Sequence, residues 1–237
     1  MQVQEEKDGN QIKNLTIAQQ FVFLVESFSQ TQTDDSWREN YLYAVMGACL
    51  ADLFLFQKIQ LQNNKVSLAN IEKTNYEYLD RILYELNSVL ADKTMLDVLS
   101  ILSPKMEEVE KLIVDNLITI GLLREKRDGF LFFGSKVIYP ANNDIVLSFI
   151  ESLRISIEGN NEPEKPMIYL ETLLDTIHIL PKIFESKKEL DYGQKRLENF
   201  IENDHIARIL LRAITNEIKL QDLKHMTRQR SGSRFMR

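Results

Sequence analysis

The sequence predicts a mainly α fold, a single globular helical domain carrying two small β-hairpins. Three observations carry this reading. Gly and Pro, which punctuate turns and strand-rich folds, number only 8 and 5 in 237 residues. Apolar residues recur at helical spacing over most of the length. Two short alternating stretches, each with turn-forming residues beside it, interrupt that helical pattern. The hydrophobic share of 44% suits a globular chain rather than a disordered one. A lone cysteine excludes a disulfide framework or a cysteine-rich zinc site, and free Cys49 fits a reducing compartment.

Residues 1–13 form a polar lead-in with neither the basic start nor the apolar core of a secretory signal. The helical domain spans 14–220, and 221–237 form a basic tail. In the domain, Thr16 and Gln19 make a capping-box pattern, followed by Ile17, Phe21, Leu24, Val25 and Phe28 at helical spacing. A polar loop covers 29–35. Ser36 and Glu39 form a second capping box, which makes Trp37 the first residue of a helix running to about Phe56. Its apolar stretch from Tyr41 is interrupted by Asp52 and falls short of the ~20 residues a spanning helix needs, so a helix buried in protein is expected. Ile59 and Leu61, then Val66 and Leu68, alternate with polar residues around Asn63-Asn64, a hairpin pattern. Helices follow near 76–91 and 93–102.

Ser103-Pro104 predicts an N-cap and first-turn proline for a helix with apolar positions Met106, Val109, Leu112, Ile113, Leu117 and Ile120, stopped by Gly121. Asp128-Gly129 then predicts the turn of a hairpin over 122–133, and Val137–Tyr139 offers a further strand. The order helix, glycine, hairpin over 104–133 is winged-helix-like. Helices are expected at 143–158, 164–179, 188–201 and 204–220, with a linker over 158–166 and a break at Pro181.

The formal charge of −6 divides into −11 over residues 1–218 and +5 over 219–237. An acidic body argues against general nucleic-acid binding. The candidate recognition helix of the winged-helix-like unit opens with Glu107, Glu108 and Glu110, which repel phosphate, so no nucleic-acid partner is expected. Catalytic signatures, metal-ligand spacings and phosphate loops are missing, and His178, His205 and His225 lack ligand-like spacing. No enzyme activity, cofactor or metal is expected. Trp37, the only tryptophan, stands at a helix start where free backbone N–H groups can receive an anion; alternatively it plugs that helix end with apolar surface.

Several blocks in order resemble the Golgi phosphoprotein 3 family. They are 15–20, Trp37, 47–53 leading into Lys58-Ile59, 78–83, 116–123 with Glu125, 130–132, Pro140 and Asn142-Asn143. The resemblance runs from about Leu15 to Ile218. It implies a helical fold without enzyme activity, binding of phosphatidylinositol 4-phosphate, a peripheral place on the cytosolic Golgi face, and an adaptor role toward cytosolic tails of Golgi glycosyltransferases. It also implies self-association through the hairpin at 122–133.

Carried over residue by residue, Trp37 matches the family's lipid-site tryptophan. The family's basic positions fall at Met46, Glu107 and Glu110, one neutral residue and two anions where a phosphomonoester needs Arg or Lys. Cations left nearby are Arg38, Lys105 and Lys111, which with Trp37 form the candidate lipid-binding set. The expected function is a cytoplasmic, peripheral membrane adaptor, with an anionic phospholipid as ligand. The alternative is a soluble protein-interaction module of the same fold that meets basic protein tails through its acidic face. A winged-helix DNA-binding regulator ranks third.

Overall fold

The computed structural model describes residues 12, 14–28, 35–89, 92–128, 135–159 and 161–232. Helix α1 spans Ile17–Phe28, and every residue from Ile17 to Val25 is buried. A helix apolar nearly all round must be enclosed by others, and α1 lies against three helices introduced below. Its start is fully tied down. The Thr16 N–H donates to Gln19 Oε1 (2.9 Å), and the Gln19 N–H returns to Thr16 Oγ1 (3.1 Å), the expected capping box. The N–H groups of Ile17 and Ala18 donate to the two carboxylate oxygens of Asp52 (2.8 and 3.0 Å). Ile12, inside the stretch read as a polar lead-in, is buried in the core.

Helix α2 spans Asp35–Leu55 and is buried continuously from Tyr41 to Phe54, as its greasy stretch requires. Among the described residues no helix is long and apolar enough to cross a membrane. The chain is already helical at Asp35, so Ser36 is not an N-cap and Trp37 is the third helical residue rather than the first. At mid-helix, a Cβ on Gly47 would collide with Ile214 and crowd Leu173, so the glycine sets how closely the neighbouring helices approach.

The first hairpin forms as read. Strands β1 (Ile59–Gln62) and β2 (Lys65–Leu68) pair antiparallel, and Asn63 and Asn64 both take the left-handed conformation (φ 50° and 62°) that a two-residue hairpin loop demands. Helix α3 follows over Glu77–Asn87. Lys93–Thr94, expected as a helix start, instead forms β3 on the outer side of β2, giving a three-stranded sheet in the order β1-β2-β3. Thr94 then caps α4 (Met95–Leu102) in a capping box with Asp97.

Ser103 is also not an N-cap. Its hydroxyl donates back to Ser100 O (2.9 Å), and a 3₁₀ turn over Ser103–Lys105 carries the chain into α5 (Met106–Thr119). Ser103 stays helical because α4 and α5 are nearly continuous, leaving no extended residue to cap. Gly121 ends this run at φ 81°. Strand β4 (Leu123–Asp128) pairs with β5 (Ser135–Pro140), from Leu123 opposite Pro140 to Asp128 opposite Ser135. The partner of β4 therefore takes in the Val137–Tyr139 stretch, and Asp128, opposite Ser135, does not open a two-residue turn. Register is fixed at the core end, where Leu122 and Leu123 are buried and the Ala141 N–H donates to Leu122 O (2.8 Å). Residues 129–133 of the expected self-association hairpin lie outside the described residues.

Asn142 caps α6 (Asn143–Glu158), and α7 follows over Lys165–Thr176. Helix α7 stops before Pro181: His178, exposed and left-handed at φ 60°, closes it through its own N–H and that of Ile179. Helix α8 spans Lys187–Asn203 behind the Ser186/Glu189 capping box. Helix α9 runs from His205 to Gly232, so the basic end at 221–232 continues a helix rather than beginning a separate element. Helices α2, α5 and α7 enclose α1, while α9 lies across α2, α4 and α7.

Candidate functional site

Trp37 stands on the first turns of α2, near the C-terminal end of α1 and the first half of α5. Its ring stacks on Tyr41, one turn later in α2, with centroids 5.4 Å apart and planes 6° from parallel. Tyr41 in turn stacks on Phe21 of α1 at 6.1 Å. The three rings form a column from the rim to the core, since Tyr41 and Phe21 are wholly buried. The indole N–H of Trp37 is buried and has no hydrogen-bond partner among the described residues.

Arg38 lies over the Tyr41 ring at 5.3 Å. Its two terminal nitrogens donate to the two carboxylate oxygens of Glu110, each at 3.1 Å. This is the bidentate fork that arginine makes best. Burial opposes the Arg38 cation, and the Glu110 pair outweighs it, holding the guanidinium above its ordinary pKa. The Arg38 side chain is 43% exposed and that of Glu110 11%, so Glu110 is the member that depends on the pair. The Tyr41 hydroxyl is directed at Glu26 Oε1 (3.4 Å) and Glu110 Oε1 (3.5 Å). Burial first, and the two carboxylates next, push its pKa well up, so it remains a neutral donor.

Of the positions singled out from sequence, Trp37, Arg38 and Glu110 come together. Met46 does not reach this surface: its side chain is fully buried in α2. Lys105 joins another group, pairing with Glu108 (3.4 Å) and Glu85 (3.8 Å), which Arg81 also binds. Lys111 and Glu107 are exposed on α5. Thus the cation beside Trp37 is already matched by an internal carboxylate, and Lys105 is matched elsewhere. Tyr41 and Glu26 were not singled out. Their signals were the i, i+4 spacing from Trp37 and an acid at the end of an otherwise apolar helix.

Among the described residues Asp52, Glu171 and Glu217 are buried as well. Asp52 is pushed up to about 7 by burial, against the opposing backbone hydrogen bonds from Ala18 and Ile17. Glu171 of α7 is wholly buried, and among the described residues neither of its oxygens makes a hydrogen bond. Burial raises it to about 8, with the Ser156 hydroxyl of α6 and the Arg196 guanidinium of α8 acting weakly in the other direction. Among the described residues no group of three His, Cys, Asp or Glu is placed to hold a metal ion.

A comparison with curated proteins finds no match to this chain. The family model described as Golgi phosphoprotein 3 (GPP34) matches residues 17–218, from the first residue of α1 into the middle of α9. That match spans every element described above except the end of α9, and the chain therefore belongs to the Golgi phosphoprotein 3 family.

Proposed function

We propose that this chain is a non-enzymatic adaptor acting peripherally at a membrane surface, and that its Trp37 site holds an anionic headgroup such as phosphatidylinositol 4-phosphate only weakly. Family membership supports the adaptor role. The observation that carries the weakened site is the bidentate Arg38–Glu110 pair. A phosphate arriving beside Trp37 meets a guanidinium whose fork is occupied, and must displace a carboxylate that would be left buried. Among the described residues the buried indole N–H of Trp37 has no hydrogen-bond partner. The cytosolic face of the Golgi is the membrane this reading assigns if the source is eukaryotic.

A second reading, a protein-interaction module that meets basic segments without lipid, draws on the acidic surface of α5. Glu107 and Glu108 are exposed there. Vesicle flotation at low salt separates the two. The wild-type chain is expected to float weakly with phosphatidylinositol 4-phosphate vesicles and no better than with phosphatidylserine. Glu110→Gln, which releases Arg38, is expected to raise retention on phosphatidylinositol 4-phosphate, and Arg38→Ala to abolish that gain. Tight, headgroup-selective flotation of the wild type would refute the weakened site. No flotation by either protein would leave the protein-interaction reading standing.

A further inference from the structure

Where α6, α7 and α8 meet, they enclose a polar cluster that shares no residue with the Trp37 site. Glu171 of α7 is wholly buried, and the groups acting on its carboxyl are Ser156 of α6 and the charge of Arg196 of α8. Both Glu171 oxygens, Ser156 Oγ and Arg196 Nη1 are buried, and none makes a hydrogen bond among the described residues. The helices are held close here, since a Cβ on Gly193, one turn before Arg196, would collide with Ile157 of α6 and with Phe184. Buried polar atoms are nearly always paired, so four unpaired ones at one corner mark an arrangement that a change of charge can rebuild.

Arg196 has a hydrogen bond to exchange. Its Nη2 donates to Asn161 O (3.1 Å) in the loop joining α6 to α7, which ties that loop to α8. The Gly159 N–H closes α6 on Ile155 O before the loop, and the Met167 and Ile168 N–H groups open α7 on Glu164 O after it. Charges on the other elements packed around α7 are engaged elsewhere. Asp52 of α2 holds the start of α1, and Glu26 of α1 faces Tyr41. Glu217 of α9 acts on Tyr43, and Asp204 accepts from Tyr169. On α7 itself, Asp175 accepts from Gln194 of α8. Lys182, in the turn after α7, lies over Phe28. On α6, Arg154 binds Glu151 and Glu185, and Glu158, two positions from Ser156, leaves the helix on another side.

We propose that this corner is a proton-operated latch: while Glu171 is protonated Arg196 ties the α6–α7 loop at Asn161, and once the proton leaves for solvent Arg196 turns to the carboxylate and lets the loop go. A buried carboxylate without a cation is costly, and Arg196 is the cation whose charge reaches it. The sign follows from burial, which raises Glu171 from 4.5 to about 8: the loop is tied at low pH and released as pH rises toward about 8. Glu164, Pro166 and Met167, just past the loop, line a cleft against α6 and the start of α1, so release loosens one wall of it.

Hydrogen–deuterium exchange on the full chain from about pH 6 to about pH 9, corrected for the intrinsic pH dependence of exchange, tests the latch. The reporters are the amides of Gly159, Met167 and Ile168, with the core of α2 as control. In the wild type their exchange is expected to rise at least about tenfold across this range, the lower end of what one charge-assisted hydrogen bond contributes. Glu171→Gln is expected to keep them protected throughout, and Arg196→Met to leave them open already at pH 6. Flat wild-type protection would overturn the proposal, as would the same rise in Glu171→Gln. A rise shared equally by the α2 core would report global destabilisation alone and overturn it too. Wild-type protection at pH 6 in Arg196→Met would show that Arg196 does not tie the loop.

Discussion

Replacing Glu171 by Gln should change how stability depends on pH far more than it changes the fold. The carboxyl is wholly buried in α7, its oxygens make no hydrogen bond among the described residues, and burial raises it from the ordinary 4.5 to about 8. The folded state therefore holds the proton more tightly than the unfolded chain does. The stability that follows is complete below about 4.5 and is lost progressively as pH rises toward about 8. Between pH 5 and pH 8 the loss amounts to about 3 kcal/mol, from 1.36 kcal/mol per unit of pKa difference. Glutamine keeps the shape of the protonated acid and cannot ionise. Urea denaturation followed by circular dichroism at several pH values should show Glu171→Gln near wild type at pH 5 and about 3 kcal/mol more stable at pH 8. Asp52, raised to about 7 from 3.8, gives both proteins a slope of the same sign over its own window, so it cancels in the difference. A stability difference that stays constant across this range would refute the reasoning.

Two other substitutions probe positions fixed by the fold. Met46→Arg would put a cation at a position whose side chain is fully buried in α2. An unpaired buried cation should cost more than about 3 kcal/mol, read as loss of a cooperative melt, and wild-type stability would mean the side chain escapes to the surface. Gly121→Ala meets no atom within 4 Å but must hold φ near 81°. The cost is then backbone strain alone, about 1 kcal/mol by denaturant titration, and Gly121→Asn should lose less because asparagine tolerates that conformation.

Where local chemistry alone decides, the sequence could be read directly. Thr16 and Gln19 cap α1 from within four residues. Asn63-Asn64 tolerates the left-handed backbone that closes the first hairpin, and the greasy run after Tyr41 could only be buried. The ordered blocks from Leu15 onward also revealed the family before any fold was seen, because spacing survives along a chain even where a site is remodelled.

Tertiary contacts decided the rest. Ser36 and Ser103 carry N-cap chemistry, but a cap forms only where the preceding chain is extended, and at both places it is already helical. Asp128-Gly129 had the residues of a tight turn, yet Leu123, buried, stands opposite Pro140 and Asp128 opposite Ser135, a different register. The charges required the fold most of all. Sequence counts Arg38, Lys105, Glu107 and Glu110 as free charges of a solvated surface. Packing α2 against α5 joins Arg38 to Glu110 and leaves Met46 in the interior, while α3 beside α5 brings Glu85 to Lys105. Sequence alone determined that this is a helical, acidic member of its family with its one tryptophan near the start of α2. Whether any cation near that tryptophan is available was decided only by the fold, because a charge's availability depends on the partner that packing brings within about 3 Å of it.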